Sequence, residues 1–108
     1  MPEVTVTYAH VVDVPGPIDM YDALHAEIVR RSGGTVDGLL VHVGRPTATG
    51  FQVLEVWQSR AHFDRYNDEV VLPTVADMSA GQPGPAPQQA IEEFAVRGLV
   101  LEGGKVVI

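Results

Sequence analysis

The sequence contains no cysteine, and only seven of its 108 residues are lysine or arginine. The absence of cysteine excludes disulfides, thiolate nucleophiles, zinc–thiolate sites and iron–sulfur clusters. Fourteen acidic residues leave a net charge of −7. The basic residues form no stripe, so we expect neither nucleic acid nor an anionic membrane as a partner. No apolar run approaches the roughly 20 residues of a membrane-spanning helix.

Length and composition favour one globular domain over residues 1–108. Hydrophobic residues make up 45% of the chain and the mean hydropathy is +0.09, so a core can form without cross-links. Residues 1–3 lack the basic region and apolar stretch of a signal peptide. We therefore expect a cytoplasmic protein.

Hydrophobic periodicity predicts six regular elements. Strands are indicated by β-branched, alternating segments, and helices by apolar residues at i, i+3, i+4 and i+7. In chain order they are a strand over 4–12, a helix over 18–31, strands over 39–45 and 51–58, a helix over 60–67, and a last strand over 91–101.

The connections carry clear turn signals. The segment 32–34, Ser-Gly-Gly, ends the first helix, and residues 46–50 read as a hairpin loop of about five residues. Ser59 is a good N-cap for the second helix, whose continuation over 68–78 is expected to break or kink at Pro73. The Pro- and Gly-rich segment 81–87 predicts an extended surface connection, and residues 105–108 a short apolar tail.

The element order β-α-β-β-α-β predicts an α+β, ferredoxin-like fold. With right-handed crossovers it gives a four-stranded antiparallel sheet in spatial order 4-1-3-2, with both helices on one face. The other face would be bare, and its residues are apolar. An exposed apolar surface of that size favours association, so we predict a homodimer that stacks two sheets face to face.

The segment 55–66, Glu-Val-Trp-Gln-Ser-Arg-Ala-His-Phe-Asp-Arg-Tyr, is followed by Leu72 and Pro73. It resembles the signature of dimeric α+β barrel proteins of the antibiotic-biosynthesis-monooxygenase type. In that family an apolar strand ends in Trp-x-Ser, the serine caps a helix that carries Phe and a second aromatic residue, and a proline lies further on. The resemblance covers most of the chain and implies a ligand pocket between helices and sheet. It identifies the fold better than the activity, because family members include oxygenases, haem degraders, decarboxylases, isomerases and proteins without a known reaction.

We expect no metal and no cofactor. The haem-degrading branch resembles this chain in having an aromatic residue at the position of Tyr66, but its axial histidine would fall at Ala76, and axial ligation needs an imidazole. The histidines lie one per element without metal-ligand spacing, so each can also be an ordinary half-buried or surface residue. They are His10, His25, His42 and His62.

Two residues are candidates for catalysis. His10 lies on a central strand near the point where the resemblance implies a polar pocket residue, and a neutral imidazole can accept a proton there. The alternative is a hydrogen bond to a backbone carbonyl. Glu55 lies in the middle of a central strand, where enclosure would raise its pKa and make it a base. The alternative is a structural pair with an arginine or histidine of either subunit.

Five further side chains are candidates for substrate binding: Tyr8, Tyr21, His25, Phe63 and Tyr66. Phe63 and Tyr66 share one helix face, and Tyr21 and His25 share another that would face the same cavity. The same spacing is typical of core packing, so both roles remain open. Trp57 is interpreted as a packing residue and His62 as exposed.

Three functions fit such a pocket. The resemblance favours a cofactor-independent monooxygenase acting on a small aromatic or polyketide-like molecule. In that chemistry the deprotonated substrate itself reduces oxygen, and the protein supplies a base and excludes water. The alternatives are a non-catalytic ligand-binding or stress-response dimer, and an isomerase or cyclase that uses the pocket without oxygen. The residues alone leave all three open.

Overall fold

The structure, a computed structural model, describes residues 8–80 and 89–106. Its elements are β1 (Tyr8–Val14), α1 (Ile18–Ser32), β2 (Leu39–Thr47), β3 (Gly50–Trp57), α2 (Arg60–Tyr66), α3 (Leu72–Ser79), β4 (Ala90–Glu93), β5 (Val100–Leu101) and β6 (Lys105–Val106). A π-helical stretch, Asn67–Val71, joins α2 to α3. No helix within the described ranges has the length and apolar composition needed to cross a membrane.

The main sheet has the order β2-β3-β1-β4, and every neighbouring pair is antiparallel. This is the predicted order, and the ferredoxin-like α+β fold is confirmed. β1 and β3 occupy the centre, and within the described ranges they carry all of the buried residues of this sheet. β5 and β6 form a separate two-stranded sheet.

Both helices that follow a central strand lie on one face of this sheet. Phe63 of α2 contacts the ring of His10, with 4.6 Å between centroids, and Tyr21 of α1 contacts Phe51 at 5.6 Å. The predicted helix boundaries are confirmed at two points. Gly33 ends α1 in the left-handed conformation with φ 73°, and the Ser59 hydroxyl accepts a hydrogen bond from the first turn of α2.

The hairpin and the third helix differ from the prediction. The β2–β3 loop has two residues, Ala48 and Thr49, because Thr47 already pairs with Gly50. The irregularity near Pro73 is the π-helical stretch before it. Pro73 itself is the second residue of α3 and lies just after this stretch, whose wider turn accommodates a residue without an N–H.

The C-terminal part also differs. The last strand of the main sheet ends at Glu93 and does not continue to residue 101. The chain then crosses the sheet face opposite the helices, where Leu99 packs against Ala9 and Val56. The prediction that this face is bare is therefore wrong in part, although Val43 on the same face stays 49% exposed. The predicted strand start at 4–7, the connection over 81–87 and the second half of the tail at 105–108 lie outside the described residues.

Candidate functional site

A buried carboxylate lies at the centre of the sheet. Glu55 of β3 is 5% exposed, and its cross-strand partners are His10 on β1 and His42 on β2. Because directly opposed residues point to the same side of a sheet, the three side chains meet on the helix-covered face. His10 Nε2 lies 3.1 Å from Oε1 and His42 Nδ1 lies 2.7 Å from Oε2. Trp57 Nε1 donates a third hydrogen bond to Oε1 at 3.2 Å.

Glu55 is ionised in this setting. Burial raises the pKa of its carboxyl group, but the hydrogen bonds and charges of His10 and His42 outweigh burial and lower the pKa to about 2. The prediction that enclosure raises this pKa is wrong, because the enclosing groups are hydrogen-bond donors. The alternative considered for Glu55, pairing with a histidine, is the observed arrangement, and both partners belong to the same chain.

An ionised carboxylate only accepts hydrogen bonds, so each histidine nitrogen that faces it carries a proton. The opposite ring nitrogen of each histidine then accepts from a tyrosine. Tyr8 donates to His10 Nδ1 at 3.1 Å, and Tyr21 donates to His42 Nε2 at 2.7 Å. We call this continuous chain of hydrogen bonds the Glu55 network; in order it consists of Tyr8, His10, Glu55, His42 and Tyr21.

The two arms of the Glu55 network differ in burial. His10 is 2% exposed, and Phe63 packs on both His10 and Tyr8. On the other arm, the side chain of His42 is 22% exposed. His25, which stacks on the His42 ring at 5.3 Å, is exposed. Only the His42 arm therefore opens towards solvent.

The open arm is a set of nearly parallel rings. Tyr21 lies 5.4 Å from His25 and 6.0 Å from His42, with interplanar angles of 12° and 17°. Gly44 of β2 makes this position possible, since a Cβ there would lie 2.2 Å from Tyr21 Cζ. Burial, followed by the charge of Glu55, raises the pKa of Tyr21, so its hydroxyl stays protonated and donates.

The closed arm ends in a charged pair. Arg60 lies over the Tyr8 ring, 5.1 Å from its centroid, and forms an ion pair with Glu93. Burial, followed by the nearby carboxylate of Glu93, raises the pKa of Tyr8 to about 12. Tyr8 is therefore a neutral donor across the physiological range.

Four of the seven predicted site residues lie in the Glu55 network, and three lie outside it. Glu55, His10, Tyr8 and Tyr21 belong to the Glu55 network. His25 and Phe63 pack directly against it. Tyr66 packs on Trp57, with 5.3 Å between ring centroids, and burial, followed by the charge of Glu55, raises its pKa.

Two cavities of the described structure lie away from the network. One, of about 190 Å³, is lined by Tyr66 and His62, and the other, of about 410 Å³, lies between the β1–α1 turn and the β2–β3 hairpin. Neither is lined by His10, Glu55 or His42.

Sequence reasoning missed two members of the site. From the sequence, roles are assigned to His10 and His25 but none to His42, and Trp57 is interpreted as a packing residue. A two-residue hairpin would have placed His42 opposite Glu55, so the loop length was the missing signal. In the part of the chain that the structure describes, no group of three or more histidine and acidic side chains is arranged to hold a metal ion.

No protein-family model matches the chain, and no curated protein matches it. Solved structures do share its fold. NE2512, a protein of unknown function from Nitrosomonas europaea, is 12% identical with a TM-score of 0.60, over 89% of this chain and 96% of that one. SnoaB, a cofactor-independent oxygenase from Streptomyces nogalater, is 17% identical with a TM-score of 0.56, over 85% of this chain and 92% of that one. At these identities the comparison establishes the fold that the resemblance implied.

Proposed function

We propose that the chain is a cofactor-independent oxygenase that acts on a small aromatic or polyketide-like molecule. The observation that carries the proposal is the ionised Glu55 behind His42, whose Nε2 faces the open arm of the network. A carboxylate in this position fixes the tautomer of a histidine and stabilises the imidazolium that forms when the histidine takes a proton. The fold shared with the oxygenase SnoaB supports the same reaction class.

His42 is the proton acceptor in this proposal. His10 is 2% exposed and Phe63 packs on its ring, whereas the side chain of His42 is 22% exposed. His10 and Glu55, which the sequence suggested as catalytic, are therefore assigned as positioning residues. Glu55 carries the negative charge that makes His42 an effective base, and His10 donates a hydrogen bond to that carboxylate.

The reaction needs no external reductant. His42 removes a proton from an activated CH₂ group, as in an anthrone, and the resulting carbanion transfers one electron to O₂. The two radicals combine to a hydroperoxide, which loses water to leave a carbonyl group. One CH₂ group and one O₂ thus give one C=O group and one H₂O.

Oxygen uptake tests the proposal directly. Anthrones and hydroquinones are supplied as a panel, with heat-denatured protein as the control for spontaneous oxidation. We expect uptake of one O₂ per anthrone, with the ketone as product. Product formation without oxygen would instead favour an isomerase or cyclase. A raised melting temperature without turnover on any member would favour a binding protein, and either result would contradict the oxygenase.

We also propose a homodimer through the sheet face opposite the helices. Alternation along β2 and β3 points Val43 and its partner Leu54 away from Glu55. Val43 is 49% exposed and its neighbours on that face are only partly buried. Contact with a second copy would remove this apolar surface from water.

Replacing Val43 with aspartate is expected to convert the dimer to a monomer, since it places a charge in the contact. Sedimentation at micromolar concentration measures the change. Val29→Asp on α1 is the matched control, because Val29 is 43% exposed but lies on the helix side. We expect the wild type and V29D to sediment as dimers. A wild type that sediments as a folded monomer would overturn the dimer.

A further inference from the structure

Both ring nitrogens of His42, the proposed base, already form hydrogen bonds within the protein. His42 Nδ1 donates to Glu55 at 2.7 Å, and His42 Nε2 accepts from the Tyr21 hydroxyl at 2.7 Å. A neutral imidazole has one acceptor nitrogen, so His42 has no free position for a proton from a ligand. One of these two hydrogen bonds must open. Glu55 is buried, whereas Tyr21 is on the open arm, so the Tyr21 bond is the one that can exchange.

We propose that the phenol of Tyr21 holds the place of a ligand hydroxyl, and that a planar aromatic molecule with a phenolic or enolic hydroxyl displaces it from His42 Nε2. The role of His42 rests on the proposed function. The displacement itself is a binding event and is measurable without turnover.

The surroundings of Tyr21 define the shape of the ligand. Its ring lies almost parallel to His25 and His42, and it contacts the ring of Phe51 at 5.6 Å. Gly44 lies directly against one side of the Tyr21 ring, and any side chain at Gly44 would overlap that ring. The position therefore accepts a flat aromatic ring that carries a hydroxyl at its edge and can stack on its neighbours.

The hydroxyl also has to be a donor. Burial, the charge of Glu55 and the charge of Asp22 keep the Tyr21 phenol protonated by raising its pKa. Tyr21 thus presents to His42 what a neutral phenol would present. An aromatic ring without a hydroxyl would break the hydrogen bond between Tyr21 and His42 without replacing it. We therefore expect such a molecule to bind more weakly than a phenol.

The closed arm provides an internal comparison. Tyr8 makes the corresponding bond to His10 at 3.1 Å, but Phe63 and Arg60 cover it. Tyr8→Phe therefore removes an equivalent hydroxyl at a position that a ligand does not reach.

Calorimetric titration with 2-naphthol and naphthalene tests the displacement. Tyr21→Phe keeps the ring and removes the competing hydroxyl, so we expect 2-naphthol to bind about three- to tenfold more tightly than to the wild type. Tyr8→Phe is expected to change its affinity less than twofold, and the wild type to prefer 2-naphthol to naphthalene. Equal affinities of the wild type and Y21F for 2-naphthol would overturn the proposal, as would equal tightening in Y8F.

Gly44→Ala provides a second variant that leaves Tyr21 and His42 in place. Its methyl group would fill the position of the ring, so it would exclude a ligand ring as well as the ring of Tyr21, and 2-naphthol is expected to bind more weakly than to the wild type. The two proposals can fail separately. Tighter binding to Y21F without oxygen uptake would remove the oxygenase and keep the displacement. If Y21F instead abolishes turnover of an active wild type without affecting binding, Tyr21 passes the proton on, and the displacement is wrong.

Discussion

Replacing His42 with glutamine is expected to lower the rate of oxygen uptake about 10²- to 10⁴-fold, the usual contribution of a positioned base. Glutamine can still donate a hydrogen bond to Glu55, but it cannot take a proton. The initial rate is measured with the anthrone that the wild type oxidises fastest. The melting temperature, recorded in parallel, separates loss of the base from loss of the fold.

His62→Gln is the matched control for this variant. His62 lies outside the Glu55 network, with its ring 2.6 Å from the Ser59 hydroxyl. His62 is half-buried, so the prediction that it is exposed is wrong, but its partners Ser59 and Asp37 lie outside the network. We therefore expect H62Q to keep the wild-type rate within about twofold. A rate retained in H42Q, or lost equally in both variants, would show that His42 is not the base.

Acidification is expected to remove on the order of 3 kcal/mol of stability through Glu55 alone. Its pKa falls from an ordinary 4.5 to about 2 on folding, against the opposing effect of burial. A carboxyl group whose pKa is lower in the folded state stabilises the fold fully above the unfolded pKa, and this contribution is lost as the pH falls towards the folded pKa. At about 1.4 kcal/mol per pKa unit, the loss accumulates between pH 5 and pH 2. Urea unfolding at a series of pH values measures it.

Two glutamine variants isolate this contribution. Glu55→Gln should be less stable than the wild type at pH 7 and should lose less stability on acidification. Glu27→Gln is the control, because Arg30 and Arg31 lower the pKa of Glu27 to about 2 as well, but on the exposed surface of α1. Exposed pairs contribute little, so E27Q should follow the wild-type curve. An unchanged acid dependence in E55Q would contradict an ionised Glu55.

The order of elements could be predicted from the sequence, but the strand register could not. A five-residue loop over 46–50 sets Arg45 opposite Phe51 and therefore His42 opposite Leu54, which points to the other face. The observed two-residue loop moves the register by one residue and brings His42 to Glu55. Such a slip reverses the direction of every side chain in the strand. The tip, Ala48-Thr49, lacks the Asn-Gly signal that marks a two-residue turn.

The position of Glu55 could be predicted, but its charge state could not. A carboxylate among alternating apolar residues indicates burial, and burial by itself raises a pKa. The observed shift has the opposite sign because two histidines from neighbouring strands donate to it. His42 reaches Glu55 through the β2–β3 register, so the error in the loop length contributed to the error in the pKa.

Helical spacing predicted candidates that only the structure separates. Phe63 and Tyr66 are three residues apart on one face, yet Phe63 packs on His10 while Tyr66 packs on Trp57 and lines a separate cavity. Spacing identifies the face of a helix but not its position over the sheet. The C-terminal segment shows the same limit, since its apolar residues suit either a strand or a cover over the sheet.

The central claim is an ionised Glu55 that receives hydrogen bonds from two histidines, and nitrogen NMR of the histidine side chains tests it most directly. The network requires opposite tautomers at neutral pH, with the proton of His10 on Nε2 and that of His42 on Nδ1. The carboxyl carbon of Glu55, followed in the same sample, should show a pKa well below the ordinary 4.5. The same tautomer at both histidines, or a Glu55 pKa above 4.5, would contradict the account.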